Sequence, residues 1–343
     1  GVRLGQGIAA AEPQPAGTYT LTGLFEDSRF RSNVGVTAGA FGLRATFELF
    51  RGSEGGPVGS VEQSVGPYDQ QQWRLPDLFP GQAREGVPMT LRITLSGPGL
   101  PWASVVDQKS SDAVFLSAGN PAGVLLVPVV ASVQGVVFWD TDLTLANLNP
   151  NPTSLTLEFL PENRDNRSGG TATRTLNLAP WETRTLERLV SSFLGLTNTK
   201  GALSVVSARP VTTACRVYTP SASGTYGQGV PVVPISTFSS QAKFVTGLRT
   251  RDGFRTNVGL VAPTDGVNAQ ARLYDASGAL LAQRSDLFIP GRSLQQFRFE
   301  DLFPGATPPH PVGSLLVIPN GPLGVYLSVV DGTSQDPVFL MAP

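Results

Sequence analysis

Apolar residues recur at every second position in short runs along the chain: Val34 and Val36, Leu91-Ile93-Leu95 by alternate residues, Leu143 and Leu145, Leu155 and Leu157, Val258 and Leu260, and Val325, Leu327 and Val329. Polar or small residues stand between them, as in strands that bury one face. Breaks rich in Gly, Pro and Asn separate the runs: NLNPNP at 147–152, RDNRSGG at 164–170, APTDG at 262–266, DASG at 275–278 and VIPNGP at 317–322. Helical spacing is nearly absent, and ERLVSSFLG at 187–195 is its best candidate. The pattern predicts an all-β chain.

The runs also repeat. A shift of 224 positions aligns residues 22–118 with 246–342 without a gap, and 34 of the 97 pairs are identical, which makes an internal duplication. FRSNVGV (30–36) meets FRTNVGL (254–260), DLFPG (77–81) meets DLFPG (301–305), and SVVD (104–107) meets SVVD (328–331), with Asp112 over Asp336 and VFL after both. Between them lies a more diverged third copy: WDTDLTL (139–145) stands under the first motif, SSFLGL (191–196) under DLFPG, and ARPVTTACRVY (208–218) under GPLGVYLSVVD (321–331). A unit of about 110 residues, with several short strands and turns every 8–12 residues, predicts an immunoglobulin-like β-sandwich repeated three times. The expected divisions are 1–18 (an extended tail and linker), 19–122, 123–234 and 235–343.

The [FW]-x-[ST]-[ND]-[VL] strand and the VVD-x4-D-x-VFL ending, from about Tyr19 to Pro343, resemble the tandem immunoglobulin-like modules of bacterial secreted and cell-surface proteins. The resemblance lies at the level of architecture, since the disulfide and buried Trp of antibody domains are missing. It implies structural, adhesive or spacer work and carries no catalytic residues with it. Within the repeated strand, Arg31 and Arg255 give way to Asp140 in the middle copy. A ligand site needing that arginine would not survive the change, so the position reads as solvent-facing.

Composition narrows the function. The 343 residues are 41% apolar and 15% charged with a net charge of −1, and no basic run offers the face a nucleic-acid reader needs. No apolar run reaches the roughly 18 residues of a membrane helix. Gly (38) and Pro (29) are spread evenly, as for many tight turns. The first residue is Gly rather than Met, so a removed leader is expected, in keeping with an extracellular location. The single Cys215 lies in an alternating strand and reads as a small buried residue. The single His310, in TPPHP, has neither a second His nor a G-x-S-x-G elbow beside it for metal or triad chemistry. The chain reads as a non-enzyme with no cofactor.

Two carboxylate pairs need a reading of their own: Asp107/Asp112 and Asp331/Asp336 flank the same four-residue turn in the first and third copies. Such pairs could offer oxygens to calcium. Alternatively they accept turn amides, which the acid-free Tyr218-Thr219-Pro-Ser-Ala-Ser-Gly of the middle copy favours. Glu162 and Asp165 form a weaker loop candidate, and nothing marks a glycosidase-like acid pair. Trp73 aligns with Phe297, Trp102 with Tyr326, and Trp139 with Phe30 and Phe254, so these read as packing elements. Trp181, in the turn APWET, aligns with no aromatic and is the candidate for contact with carbohydrate.

The tail GVRLGQGIAA places Val2, Leu4, Ile8 and Ala10 on one side of an extended chain, and GQGI echoes GQGV at 227–230. It reads as a strand without its own sandwich, able to fold back on its own chain or to add to a neighbour's sheet edge. The expectation from sequence is a structural subunit of a bacterial surface filament or layer, self-associating through those residues. The alternative is an adhesin or carbohydrate-binding stalk with a glycan or cell-surface partner, using loops 161–170 and 219–229.

Overall fold

A computed structural model describes residues 12–169, 172–307 and 309–342; the proposed subunit-contact residues Val2, Leu4, Ile8 and Ala10 lie outside them. The alternating runs form strands throughout. The first set is β1 (Gly17–Leu24), β2 (Phe30–Ala38), β3 (Leu43–Arg51), β4 (Pro57–Val65), β5 (Gln70–Arg74), β6 (Met89–Leu95), β7 (Gly99–Asp107) and β8 (Ala113–Ser117). They pair as two sheets, β1-β6-β3-β4 and β5-β2-β7-β8, closed over a core that includes Leu21, Val34, Val36, Phe47, Leu91 and Ile93.

The second set is β9 (Ala122–Gln134), β10 (Phe138–Ala146), β11 (Thr153–Pro161), β12 (Thr173–Leu178), β13 (Thr183–Leu186), β14 (Thr199–Ser221) and β15 (Gly224–Val230), followed by the short β16 (Val233–Pro234). Here one long strand does the work of two. The first half of β14 lies between β9 and β11, and its second half lies between β10 and β15.

The third set repeats the first: β17 (Lys243–Leu248), β18 (Phe254–Ala262), β19 (Val267–Tyr274), β20 (Leu280–Ile289), β21 (Ser293–Arg298), β22 (Gly313–Pro319), β23 (Gly324–Asp331) and β24 (Pro337–Ala342). Its sheets are β17-β22-β19-β20 and β21-β18-β23-β24. In every set the first strand pairs with the sixth and the second with the seventh, β14 counting as both sixth and seventh in the middle one. An immunoglobulin sandwich places its first two strands side by side in one sheet. The outer sets place them in opposite sheets, whereas in the middle set β9 and β10 also pair at Phe138↔Gln134 and Trp139↔Val133 and the strands join in one eight-stranded sheet, so the strand order departs from the immunoglobulin one.

Two sequence motifs resolve differently from a plain strand or turn. DLFPG ends a single helical turn in both outer sets, α1 (Leu75–Leu78) and α2 (Phe299–Leu302), which drop Leu75, Leu78, Phe299 and Leu302 into the cores. The helical candidate at 187–195 is a short π-helix, Leu189–Phe193, entered through Arg188 at φ 51°.

The sets are packed in series by one recurring junction. The outer face of the first sheet of one set lies on the outer face of the second sheet of the next. Thr20 and Thr22 of β1 reach Thr212 of β14 at 2.9 and 3.2 Å, and Thr183 Oγ1 reaches Thr90 at 3.1 Å. At the second junction Glu158 of β11 meets Arg292 at 2.5 Å, and Val261, Leu294, Tyr326 and Phe339 of the third set join the second set's core. Backbone bonds repeat as well: Thr183 N donates to Gly52 O at the first junction, and Asn163 N donates to Leu294 O at the second.

Candidate functional site

Where the first two sets meet, a cleft of about 310 Å³ remains open. Phe25, Arg29 and Phe30, at the end of β1 and the start of β2, form one wall; Asp142, Thr185, Glu187, Arg216 and Tyr218 form the other. Strand alternation sets this second wall. The register Asp142↔Arg216, with Asp140↔Tyr218 two residues on, turns Arg216 and Tyr218 to the side on which Asp142 lies.

Arg216 organises the cleft. Its guanidinium lies 5.4 Å from the Phe30 ring centre and 5.2 Å from that of Tyr218. One of its nitrogens donates to Thr225 Oγ1 at 2.8 Å and approaches Asp112 Oδ2 at 3.4 Å. Arg29 covers the same phenyl ring at 5.6 Å and pairs with Glu187 at 3.2 Å. The repeated Phe of FRSNVGV is thus, in the first set, part of a cation–aromatic stack at the meeting of two strand sets, with Arg29 and Arg216 as its cations.

Asp142 Oδ1 accepts the Arg188 N–H at 2.8 Å and the Tyr218 hydroxyl at 3.3 Å. Burial pushes its carboxyl up to about 6, against those two hydrogen bonds and the charge of Arg216. Tyr218 is likewise pushed well above the usual phenol range, mainly by burial and then by Asp142 and Asp140. Burial also raises the Cys215 thiol, which keeps it protonated and unreactive.

The sign of the Asp142 effect fixes a pH dependence. A carboxyl held near 6 when folded, against about 3.9 when unfolded, binds its proton more tightly in the folded chain. Its contribution is greatest below about pH 4 and is lost as pH rises through 6. Asp142→Asn keeps the acceptor for Arg188 and is expected to be more stable than the parent at pH 7.5 by about 1–3 kcal/mol, with the gap closing at pH 4.5. Urea unfolding at the two pH values measures this, and equal stability at pH 7.5 would contradict it.

The four aspartates singled out by their spacing do more than close turns. Asp107 Oδ1 accepts the N–H groups of Lys109 and Ser110, while Oδ2 accepts Thr225 N at 2.9 Å and Thr225 Oγ1 at 2.6 Å from the next set. Asp331 Oδ1 accepts Thr333 N and Ser334 N in the matching turn. Asp112 accepts Gly227 N at 2.7 Å, and its carboxyl interacts with that of Asp336 from the third set. Burial raises the Asp112 carboxyl, while the charge of Arg216 opposes. The arrangement is one of turn capping and inter-set joining, and no group of three or more His, Cys, Asp or Glu side chains is placed for a metal among the described residues.

Other expectations change too. Asp140, read as solvent-facing, is buried and paired with Arg188 at 3.0 Å. Trp181, the carbohydrate candidate, stacks on the buried Phe50 of the first set (5.6 Å, 17°), and Arg92 lies over both rings. Ladder register places Trp181 two residues before Thr183, where Tyr68 precedes Gln70 and Arg292 precedes Leu294; all three have positive φ. It therefore has an aromatic equivalent after all. Glu162 pairs with Lys200, Asp165 with Arg167, and His310 lies 3.5 Å from Asp252 in an exposed position.

Asp142, Arg216, Tyr218, Arg29 and Glu187 carry no sequence signal as a group, because the cleft exists only once two sandwiches dock. The nearest clue is the second acid of WDTDLTL, unusual in a half-buried strand.

No family model matches the chain, and no curated protein matches it. Among solved structures, Thermotoga maritima 1070 is 12% identical with a TM-score of 0.27, over 31% of this chain and 94% of that one. A tetra-tandem repeat from the extending region of a large adhesion protein is 12% identical with a TM-score of 0.14, over 95% and 73%. Escherichia coli alpha-2-macroglobulin in its native conformation is 10% identical with a TM-score of 0.15, over 97% and 23%. Likenesses at this level define neither the fold nor the function. No helix among the described residues is long and apolar enough to cross a membrane, which leaves strands untested in that respect.

Proposed function

We propose that the chain is a non-catalytic structural protein. Three sandwich domains of immunoglobulin-like architecture form one stiff body, which serves as a self-associating subunit of a filament or layer at a bacterial surface. The observation that supports this reading most is where the polar chemistry goes. Asp107, Asp112, Glu158, Arg216 and Trp181, which could serve ligands, are engaged in joining one sandwich to the next.

The adhesin reading loses the loops it would use. Asn166 Nδ2 donates to Arg292 O and Asn166 N to Gly291 O, which ties loop 161–169 to the third set. Thr225 and Gly227 tie loop 219–229 to the first. Negative-stain imaging of native material tests the proposal: the expected result is an ordered filament or layer with a repeat matching one chain. Dispersed particles of single-chain size at all protein concentrations would overturn it.

A further inference from the structure

The chain contains the same junction between strand sets twice, which, among the described residues, leaves one accepting face uncovered on the first set and one donating face uncovered on the third. In the third set the accepting face carries Tyr326 stacked on Phe339 at 4.6 Å, with Tyr326 fully buried beneath the second set. In the first set the equivalent pair, Trp102 stacked on Phe115 at 5.9 Å, is only half-buried.

The turn before the fifth strand tells the same story. Trp181 lies on Phe50 at the first junction, and Arg292 pairs with Glu158 at the second. Their counterpart in the first set, Tyr68, has the same positive φ and is 82% exposed.

The donating face of the third set is apolar where it should be covered. Leu315 and Val317 of β22 point into the core, so Leu316 and Ile318 point out. Leu316 pairs with Phe244 of β17, which is 57% exposed, and Phe288 of β20 is 53% exposed on the same sheet. Arg272 occupies the position in β19 that Glu158 occupies in β11, and its buried Nε has no hydrogen-bond partner. Exposed aromatic and aliphatic clusters of this kind mark protein contacts.

We propose that the β17-β22-β19-β20 face of one chain docks on the β5-β2-β7-β8 face of a second copy, repeating the internal junction between molecules. This rests on the structural, self-associating reading above and assigns its linkage to described faces rather than to the tail. Tyr68 of the accepting chain then lies over Arg272 of the donating chain, a cation–aromatic contact in place of the Glu158–Arg292 ion pair. The contact is heterologous, so it propagates until it closes into a ring or continues as a filament.

Sedimentation velocity across a concentration series tests it with Tyr68→Arg and Phe244→Glu, both at exposed positions. The parent is expected to form a ladder of multiples of 36.1 kDa. Each variant alone is expected to associate at least about tenfold more weakly. A 1:1 mixture, holding one intact face of each kind, should stop at a dimer. Parent-like multimers from both variants, lost only on deletion of residues 1–11, would overturn the face pairing and leave the structural reading standing. A parent that stays at single-chain mass at every concentration would overturn both.

Discussion

Gly259→Ala is expected to destabilise the protein by about 3 kcal/mol, whereas Gly35→Ala, the same change in the same motif, should cost no more than about 1 kcal/mol. Each glycine faces an aromatic residue across the ladder, Gly259↔Tyr326 and Gly35↔Trp102, and each leaves room for the ring to lie flat on the strand. A Cβ at 259 would stand 2.0 Å from Tyr326 Cζ, and one at 35 would stand 2.2 Å from Trp102 Cζ2. The collisions are alike; the exits differ. Tyr326 is wedged between β18, Phe339 and the second sandwich, so relief means opening a junction. The Trp102 indole keeps one side open and can swing outward, while alanine recovers part of the entropy that glycine costs in a strand. Urea unfolding of both variants measures the difference, and equal losses would show that the third sandwich does not hold its aromatic ring as described.

That contrast shows what the sequence carries and where it stops. The duplication is plain because FRSNVGV and FRTNVGL serve the same strand, and alternation correctly turns Val34, Val36, Val258 and Leu260 inward. The middle copy diverges at its junction with the first set, where Thr144 opposite Ala214 stands in place of the Gly–aromatic pair that the third set keeps. Gly23 then comes so near that a Cβ on it would lie 2.9 Å from Ala214 Cβ. Alternation says which residues face inward but not which strands are neighbours, and the placing of first and second strands in opposite sheets in the outer sets follows from non-local pairing. Trp181 was unreadable as a contact for the same reason: its equivalence to Tyr68 and Arg292 lies in ladder register and not in residue type. The aspartate turns were half legible, since capping follows from spacing but the reach of Asp107 to Thr225 does not.

Arg216→Met should cost about 3 kcal/mol at neutral pH, and the loss should shrink as the solution is acidified. Arginine at this position answers two carboxyl groups at once. Asp112, fully buried, has it at 3.4 Å, and Asp142 feels its charge across the cleft. Methionine keeps much of the packing against Phe30 and Tyr218 but removes the cation, leaving buried acids that burial already pushes upward. At pH 7.5 one of them must then stay charged without a partner or take up a proton at a cost. Below the Asp142 value of about 6 that group is already neutral, so the variant and the parent should converge between about pH 7 and pH 5. Asp112→Asn in the Arg216→Met background should recover part of the loss, because the amide oxygen still accepts Gly227 N and its NH₂ can donate to Asp336. A pH-independent loss unaffected by Asp112→Asn would mean that Arg216 stabilises the junction by packing alone. In that case the charge network where the strand sets meet would have no part in holding them together.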